Sequence, residues 1–142
     1  MVVNIGRVLE EDWNYIRADI AAVQIIARSH HAILKVIFET DYLEDSHIIQ
    51  LCNICTDLQV EFVKTSTGFG YTKRASGDYN YTGATSEHIQ LMLDNVEGIV
   101  QVKASGGIRN YEDAKRLAEM GVTRLGTSAS QAIAVGGKGE SY

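Results

Sequence analysis

Apolar residues recur along this chain in two alternating rhythms, short continuous runs and longer segments stepped by three or four. The continuous runs lie at 1–5, 33–38, 60–65, 99–103 and 122–125, and each predicts a strand. The stepped segments predict helices. Over 10–29, Trp13, Ile16, Ile20, Val23, Ile26 and Ala27 share one helical face, and over 46–58 Ile48, Ile49, Leu51, Cys52 and Cys55 do the same. Thr85-Ser-Glu-His reads as the cap of a helix running through Ile89, Met92, Leu93 and Val96. Asn110 caps another, with Glu112 and Asp113 in its first turn and Gly121 after its end. A short helix over 131–135 follows the last strand. The longest irregular piece, 68–84, holds Tyr71, Tyr79 and Tyr81 and is expected to be a lid or a mobile tip. The glycine-rich tail, 136–142, is expected to be mobile.

The run at 33–38 is apolar at successive positions, which predicts a strand buried on both faces in a parallel sheet covered by helices. Strict alternation gives βαβαβαβαβα with right-handed crossovers. Five parallel strands in that order fit either a doubly wound open sheet or a (β/α)8 barrel. In both, chemistry lies at the C-terminal ends of the strands. Lys64, Lys103 and Ser128 fall there.

The chain has 142 residues, 45% hydrophobic and 22% charged, the composition of one globular domain able to bury a core. It shows neither a long apolar run nor a signal-peptide pattern, so a cytoplasmic protein with no membrane partner is expected. A net charge of −5 without clustered Lys and Arg argues against nucleic acid as a partner. Any phosphate it binds is therefore expected to belong to a small metabolite. Cys52 and Cys55 form a C-x-x-C inside a helical apolar pattern with no second pair, which reads as reduced, partly buried cysteines. His30, His31, His47 and His88 share no spacing that would make a metal site.

Two stretches carry candidate chemistry. In E-F-V-K-T-S-T-G, 61–68, a β-rich run delivers Lys64 to a strand end, where desolvation disfavours the ammonium. A lysine kept neutral is a nucleophile for a carbonyl carbon, forming a Schiff base. In V-K-A-S-G-G-I-R, 102–109, a second strand ends in Lys103, and the small-residue loop after it exposes backbone N–H groups suited to a phosphate. Two strand-end lysines beside a phosphate loop read as an aldolase. On spacing alone, the plain alternative is a lysine whose ammonium snorkels into water.

F-V-K-T-S-T-G-F at 62–69 and V-K-A-S-G-G-I-R at 102–109, followed by G-T-S at 126–128, resemble deoxyribose-phosphate aldolase, a class I aldolase of (β/α)8 fold. V-N-I-G at 3–6, L-K-V-I-F-E-T at 34–40 and the C-terminal tyrosine extend the resemblance over almost the whole chain. It implies reversible cleavage of 2-deoxy-D-ribose 5-phosphate to glyceraldehyde 3-phosphate and acetaldehyde, without metal or organic cofactor. It implies that Lys64 is the Schiff-base lysine and Lys103 the neighbour that lowers its pKa. Gly106, Gly107, Arg109, Gly126 and Ser128 then bind the substrate phosphate. Lys35 is a supporting lysine inside the barrel, and Tyr142 a terminal tyrosine that reaches the active site.

The resemblance also implies departures. The five strands correspond to the fourth to eighth of the family, so the fold expected is a partial (β/α)8 barrel lacking its first three βα units. The family's proton-relay aspartate precedes the residue matching Met1, and no residue here takes its place. Phe69 stands where the family often has lysine, and Ala129 where a serine is expected, with Lys73 or Arg74 as candidate substitutes. Low activity is therefore expected, together with a homo-oligomer that covers the open sheet edges and inner face. The alternatives are a catalytically inactive, self-associating fragment and a phosphate-metabolite binding module.

Overall fold

The computed structural model describes residues 1–73 and 75–137. Strands β1 (Lys35–Ile37), β2 (Phe62–Lys64), β5 (Gln101–Ser105) and β6 (Arg124–Gly126) form one parallel sheet in the order β1-β2-β5-β6. Strands of this sheet adjacent in space follow one another in sequence, so the order never reverses. A doubly wound sheet has such a reversal, and a barrel wall does not. The sheet is accordingly an arc of barrel wall, with α2 (Trp13–Ser29), α3 (Asp45–Asp57), α4 (Ser86–Asn95) and α5 (Tyr111–Glu119) between and beside its strands.

Four strands replace the expected five, because the run at 1–5 supplies only a bridge between Val2 and Ile37. Val3 N–H donates to Ile37 O, and Ile37 N–H to Met1 O, at 3.0 and 2.9 Å. Asn4 then accepts from Arg7 N–H and caps a short helix, α1 (Ile5–Leu9), which ends the extended segment at once. The irregular piece at 68–84 is likewise more ordered than its composition suggests. It contains an antiparallel hairpin of β3 (Thr72–Lys73) and β4 (Tyr79–Asn80). The rings of Tyr71 and Tyr81 meet edge to face in a T-shaped contact with centroids 5.7 Å apart.

Side chains alternate across the arc as the pleat requires. Val36, Val63, Val102 and Ala104 point outward and are buried with Ile16, Ile20, Ile48, Leu51, Ile54, Ile89, Met92 and Leu117 of the helices. Each such aliphatic side chain contributes about 1.5–3 kcal/mol by leaving water. Cys52 and Cys55 lie inside this layer as free thiols, and burial pushes Cys52 up to about 12.

The face of α2 differs from the expected one. Val23 and Ile26 are exposed, and Gln24 is buried in their stead. The Gln24 amide donates to Gln59 O at 3.2 Å, and Arg28 donates to the same carbonyl at 2.8 Å, which closes the turn entering β2. Thr85 and Asn110 cap α4 and α5 as expected, accepting from His88 and Asp113 N–H. Among the described residues no helix is long and apolar enough to cross a membrane.

Candidate active site

On the inner face of the arc the pleat presents Lys35, Phe62, Lys64, Lys103, Ser105 and Arg124, with Ile37 and Gln101 beside them. Lys64 and Lys103 are direct register partners on the neighbouring parallel strands β2 and β5. Register partners on adjacent strands share a face. The two lysines are thus side by side at the C-terminal end of the sheet.

Burial, then the like charge of Lys103, and more weakly that of Lys35, hold the Lys64 ammonium below the usual lysine range, against an opposing pull from Glu39. The Met1 amino group, which donates to Lys35 O at 2.9 Å, is also shifted down, first by burial and then by Lys64 and Lys35.

Several other residues stand beside the pair, and of these the motifs had pointed only to Lys35. Arg124 is the register partner of Lys103 on the next strand, and its guanidinium lies 4.3 Å from the ring centroid of Phe62. Lys35 Nζ is 5.6 Å from the same ring. Phe62, only 4% exposed, is a plate on which two cations rest, each contact contributing about 0.5–1 kcal/mol. A period-two count through Arg124 and Gly126 would have placed Arg124 on the inner face.

Glu39 follows β1 with a left-handed backbone, φ 60° and ψ 59°, and is 4% exposed. Such a conformation costs a non-glycine residue about 1–3 kcal/mol. Its carboxylate accepts from Ser66 Oγ at 2.7 Å, from Thr67 N–H at 3.1 Å and from the Thr67 hydroxyl. The tips of β2 and β5 are also tied together. Thr65 Oγ1 donates to Ser105 O at 2.9 Å and accepts from Ser105 N–H at 3.0 Å, and the Ser105 hydroxyl donates to Ser66 O.

The glycine loops stand beside this pair of lysines. Gly126 leaves room for Lys103. A Cβ there would lie 3.2 Å from Lys103 Cε and 2.8 Å from Ser105 Cβ. Gly106 is packed against Gly83, and Gly107 lies near Thr82 O. Gly107, Arg109 and Ser128 are exposed, and Arg109 forms no ion pair among the described residues.

Thr127 holds the two loops together. Its Oγ1 donates to Ile108 O at 2.6 Å and accepts from Ala129 N–H at 2.9 Å. The first turn of α5 carries Glu112 and Asp113, so an anion here would face Arg109 and the loop backbone sooner than the helix end. Tyr142 and Arg74 lie outside the described residues.

No protein-family model matches the chain. It is 43% identical over 136 residues to deoxyribose-phosphate aldolase of Mannheimia succiniciproducens, covering 96% of this chain and 55% of that protein. Among solved structures, an aldolase designated QR15 superposes with a TM-score of 0.77 at 35% identity, covering 94% of this chain and 55% of that one. The tetrameric deoxyribose phosphate aldolase of Aeropyrum pernix superposes with a TM-score of 0.71 at 27% identity, covering 85% and 48%. The chain spans about half the length of the curated relatives it matches. In sequence and in fold, then, this chain resembles about half of a deoxyribose-phosphate aldolase barrel, with Lys64 and Lys103 side by side on its inner wall.

Proposed function

We propose that this chain carries the Schiff-base half of a class I aldolase acting on 2-deoxy-D-ribose 5-phosphate. The observation that carries the reading is the direct register of Lys64 with Lys103 on one face, in surroundings that favour a neutral amine. The Lys64 Nζ lone pair attacks the carbonyl carbon of the sugar. With one proton taken up, the hydroxyl leaves as water and an iminium remains. The bond between C2, next to the iminium carbon, and the hydroxyl-bearing C3 then breaks. Its electrons flow into the iminium to give an enamine, and the C3 hydroxyl gives its proton to water as the second aldehyde, glyceraldehyde 3-phosphate, forms. Protonation and hydrolysis of the enamine release acetaldehyde and free Lys64.

Gly106, Gly107 and Arg109, with Gly126 and Ser128 on the loop tied to them through Thr127, are the proposed phosphate site. Lys35 pairs with Phe62, two register positions before Lys64, and adds positive charge to the same face. A cytoplasmic setting, in which the two free thiols stay reduced, suits a metabolite phosphate as substrate. Borohydride reduction in the presence of acetaldehyde is expected to leave an N-ethyl group on Lys64, read by peptide mass spectrometry. Finding the label only at other amines, or nowhere, removes the Schiff-base assignment.

We also propose self-association, on the surface that the charge pattern favours. Lys35, Lys103 and Arg124 put positive charge on the inner face that self-association was expected to cover, which disfavours two copies meeting face to face there. The outer side of α2 and the turn into β1 instead expose Ile25, Ile26 and Ile33 at 66%, 61% and 50%. Light scattering that shows a monomer at all concentrations, with Ile26→Glu changing nothing, would rule this out.

A further inference from the structure

The turn that follows Lys64 is organised around a buried carboxylate outside the proposed chemistry. Glu39 is reached by three donors from residues 66 and 67, the Ser66 hydroxyl, the Thr67 N–H and the Thr67 hydroxyl. Because both hydroxyls donate to the carboxylate, their lone pairs are left to accept from the backbone. Ser66 Oγ accepts from Gly68 N–H at 2.9 Å, and Thr67 Oγ1 from Phe69 N–H at 3.0 Å. Three consecutive N–H groups after the strand are therefore committed to one cluster.

The chain closes over the carboxylate as well, for a Cβ at Gly70 would lie 2.7 Å from Glu39 Cδ. Backbone bonds clamp the two segments from below. Phe38 N–H donates to Lys64 O at 2.9 Å, and Thr40 N–H to Thr65 O at 3.0 Å. Glu39, in its left-handed conformation, sits between these two clamps with its side chain turned across to β2.

We propose, on the reading that Lys64 is the Schiff-base lysine, that Glu39 is a positioning residue for it: its buried carboxylate, held by Ser66 and Thr67, fixes the turn in which β2 ends and so keeps Lys64 in register with Lys103. The charged groups acting on Lys64 are Lys103, Lys35, the Met1 amino group and Glu39, with Arg124 beyond Lys103. Of these only Glu39 favours the ammonium. Its negative charge therefore works against a neutral amine, and a residue retained solely for electrostatics would not be an acid. Its value lies in the geometry it imposes.

The two contributions separate experimentally because they have opposite signs. In Glu39→Gln the anion is gone, so the titration midpoint of Lys64 is expected to move to lower pH. The turn loses an acceptor, so borohydride trapping with acetaldehyde, measured well above both midpoints where the amine is neutral in either protein, is expected to slow by about tenfold. Competitive acetylation by acetic anhydride across pH, read at the Lys64 peptide, gives the midpoint without requiring any aldolase chemistry. Trapping at the wild-type rate, or an unmoved midpoint, overturns the proposal.

If circular dichroism shows that Glu39→Gln does not fold, Ser66→Ala decides, since it removes one donor and keeps the charge. Slower trapping in Ser66→Ala supports the proposal, and wild-type trapping overturns it. If the wild-type protein itself shows no trapped Lys64, the aldolase reading fails. The rate of Lys64 acetylation measured above both midpoints then decides the role of Glu39 alone, a changed rate in Glu39→Gln supporting it and the wild-type rate overturning it.

Discussion

Lys64→Met is expected to abolish the borohydride-trapped acetaldehyde adduct without unfolding the protein. The first half follows from position, because Lys64 is the amine placed in register with a second cation at the C-terminal end of a buried strand. The second half follows from linkage. The folded state disfavours the Lys64 ammonium, chiefly through burial and then through Lys103, so its pKa is lower folded than unfolded. Below the lowered pKa both states bind the proton, and the folded state bears the whole cost of the buried charge. As pH rises from there towards the ordinary lysine range, the unfolded chain keeps a proton that the folded chain has released, and stability increases.

Methionine carries no such cost and fills similar space. At neutral pH Lys64→Met should therefore unfold at no lower urea concentration than the wild type, and its alkaline gain in stability should be reduced. Lys103→Met supplies the complementary test. Removing the neighbouring cation raises the Lys64 pKa, so trapping at neutral pH should fall severalfold and recover as pH is raised. A neutral-pH trapping rate unchanged in Lys103→Met would mean that the two ammonium groups do not feel one another.

Much of this site was legible from the order of residues, and the reason is local. A strand followed by a turn fixes where Lys64 and Lys103 sit along their strands, and strict βα alternation makes those strands parallel, so both lysines fall at the same end of the sheet. What the sequence did not show depends on contacts made at long range. Glu39 looks like a turn residue after β1, and only the fold brings it to Ser66 and Thr67. Thr127 looks like part of a small-residue loop, yet it is the residue that bonds to Ile108 O.

Local rules also compete in ways that hydrophobicity alone cannot arbitrate. The run at 1–5 has strand composition, but Asn4 offers a helix cap and the strand stops. Val23 and Ile26 fit the helical period of α2 and still face solvent. The inner position goes to Gln24, whose amide can satisfy the carbonyl of Gln59 where an aliphatic side chain could not.

Gly83→Ala is expected to destabilise the fold by about 2–5 kcal/mol, combining the cost of a left-handed alanine with that of forcing two backbones apart. Gly83 has φ +73°, and a Cβ there would lie 2.6 Å from the carbonyl carbon of Gly106 and 2.7 Å from its oxygen. Those atoms cannot yield easily. Gly106 itself has φ +90°, its own missing Cβ faces Gly83 Cα at 2.9 Å, and its carbonyl accepts from Ala84 N–H at 3.1 Å. On the other side the Asp41 carboxylate accepts from Gly83 N–H at 2.9 Å and from Thr82 N–H. The segment that ends the 68–84 excursion is thus docked, backbone against backbone, on the loop proposed to bind phosphate.

Gly98→Ala is the control for the conformational part. Gly98 has φ +67° with nothing within 4 Å of a Cβ, so that variant should lose only the smaller part, about 1–2 kcal/mol. Urea unfolding of the two variants beside the wild type separates strain from close approach. If Gly83→Ala costs no more than Gly98→Ala, the contact between Gly83 and Gly106 is not what positions this loop. If it costs more, as expected, affinity for inorganic phosphate measured by calorimetry should fall along with stability, because the displaced backbone at Gly106 belongs to the proposed site.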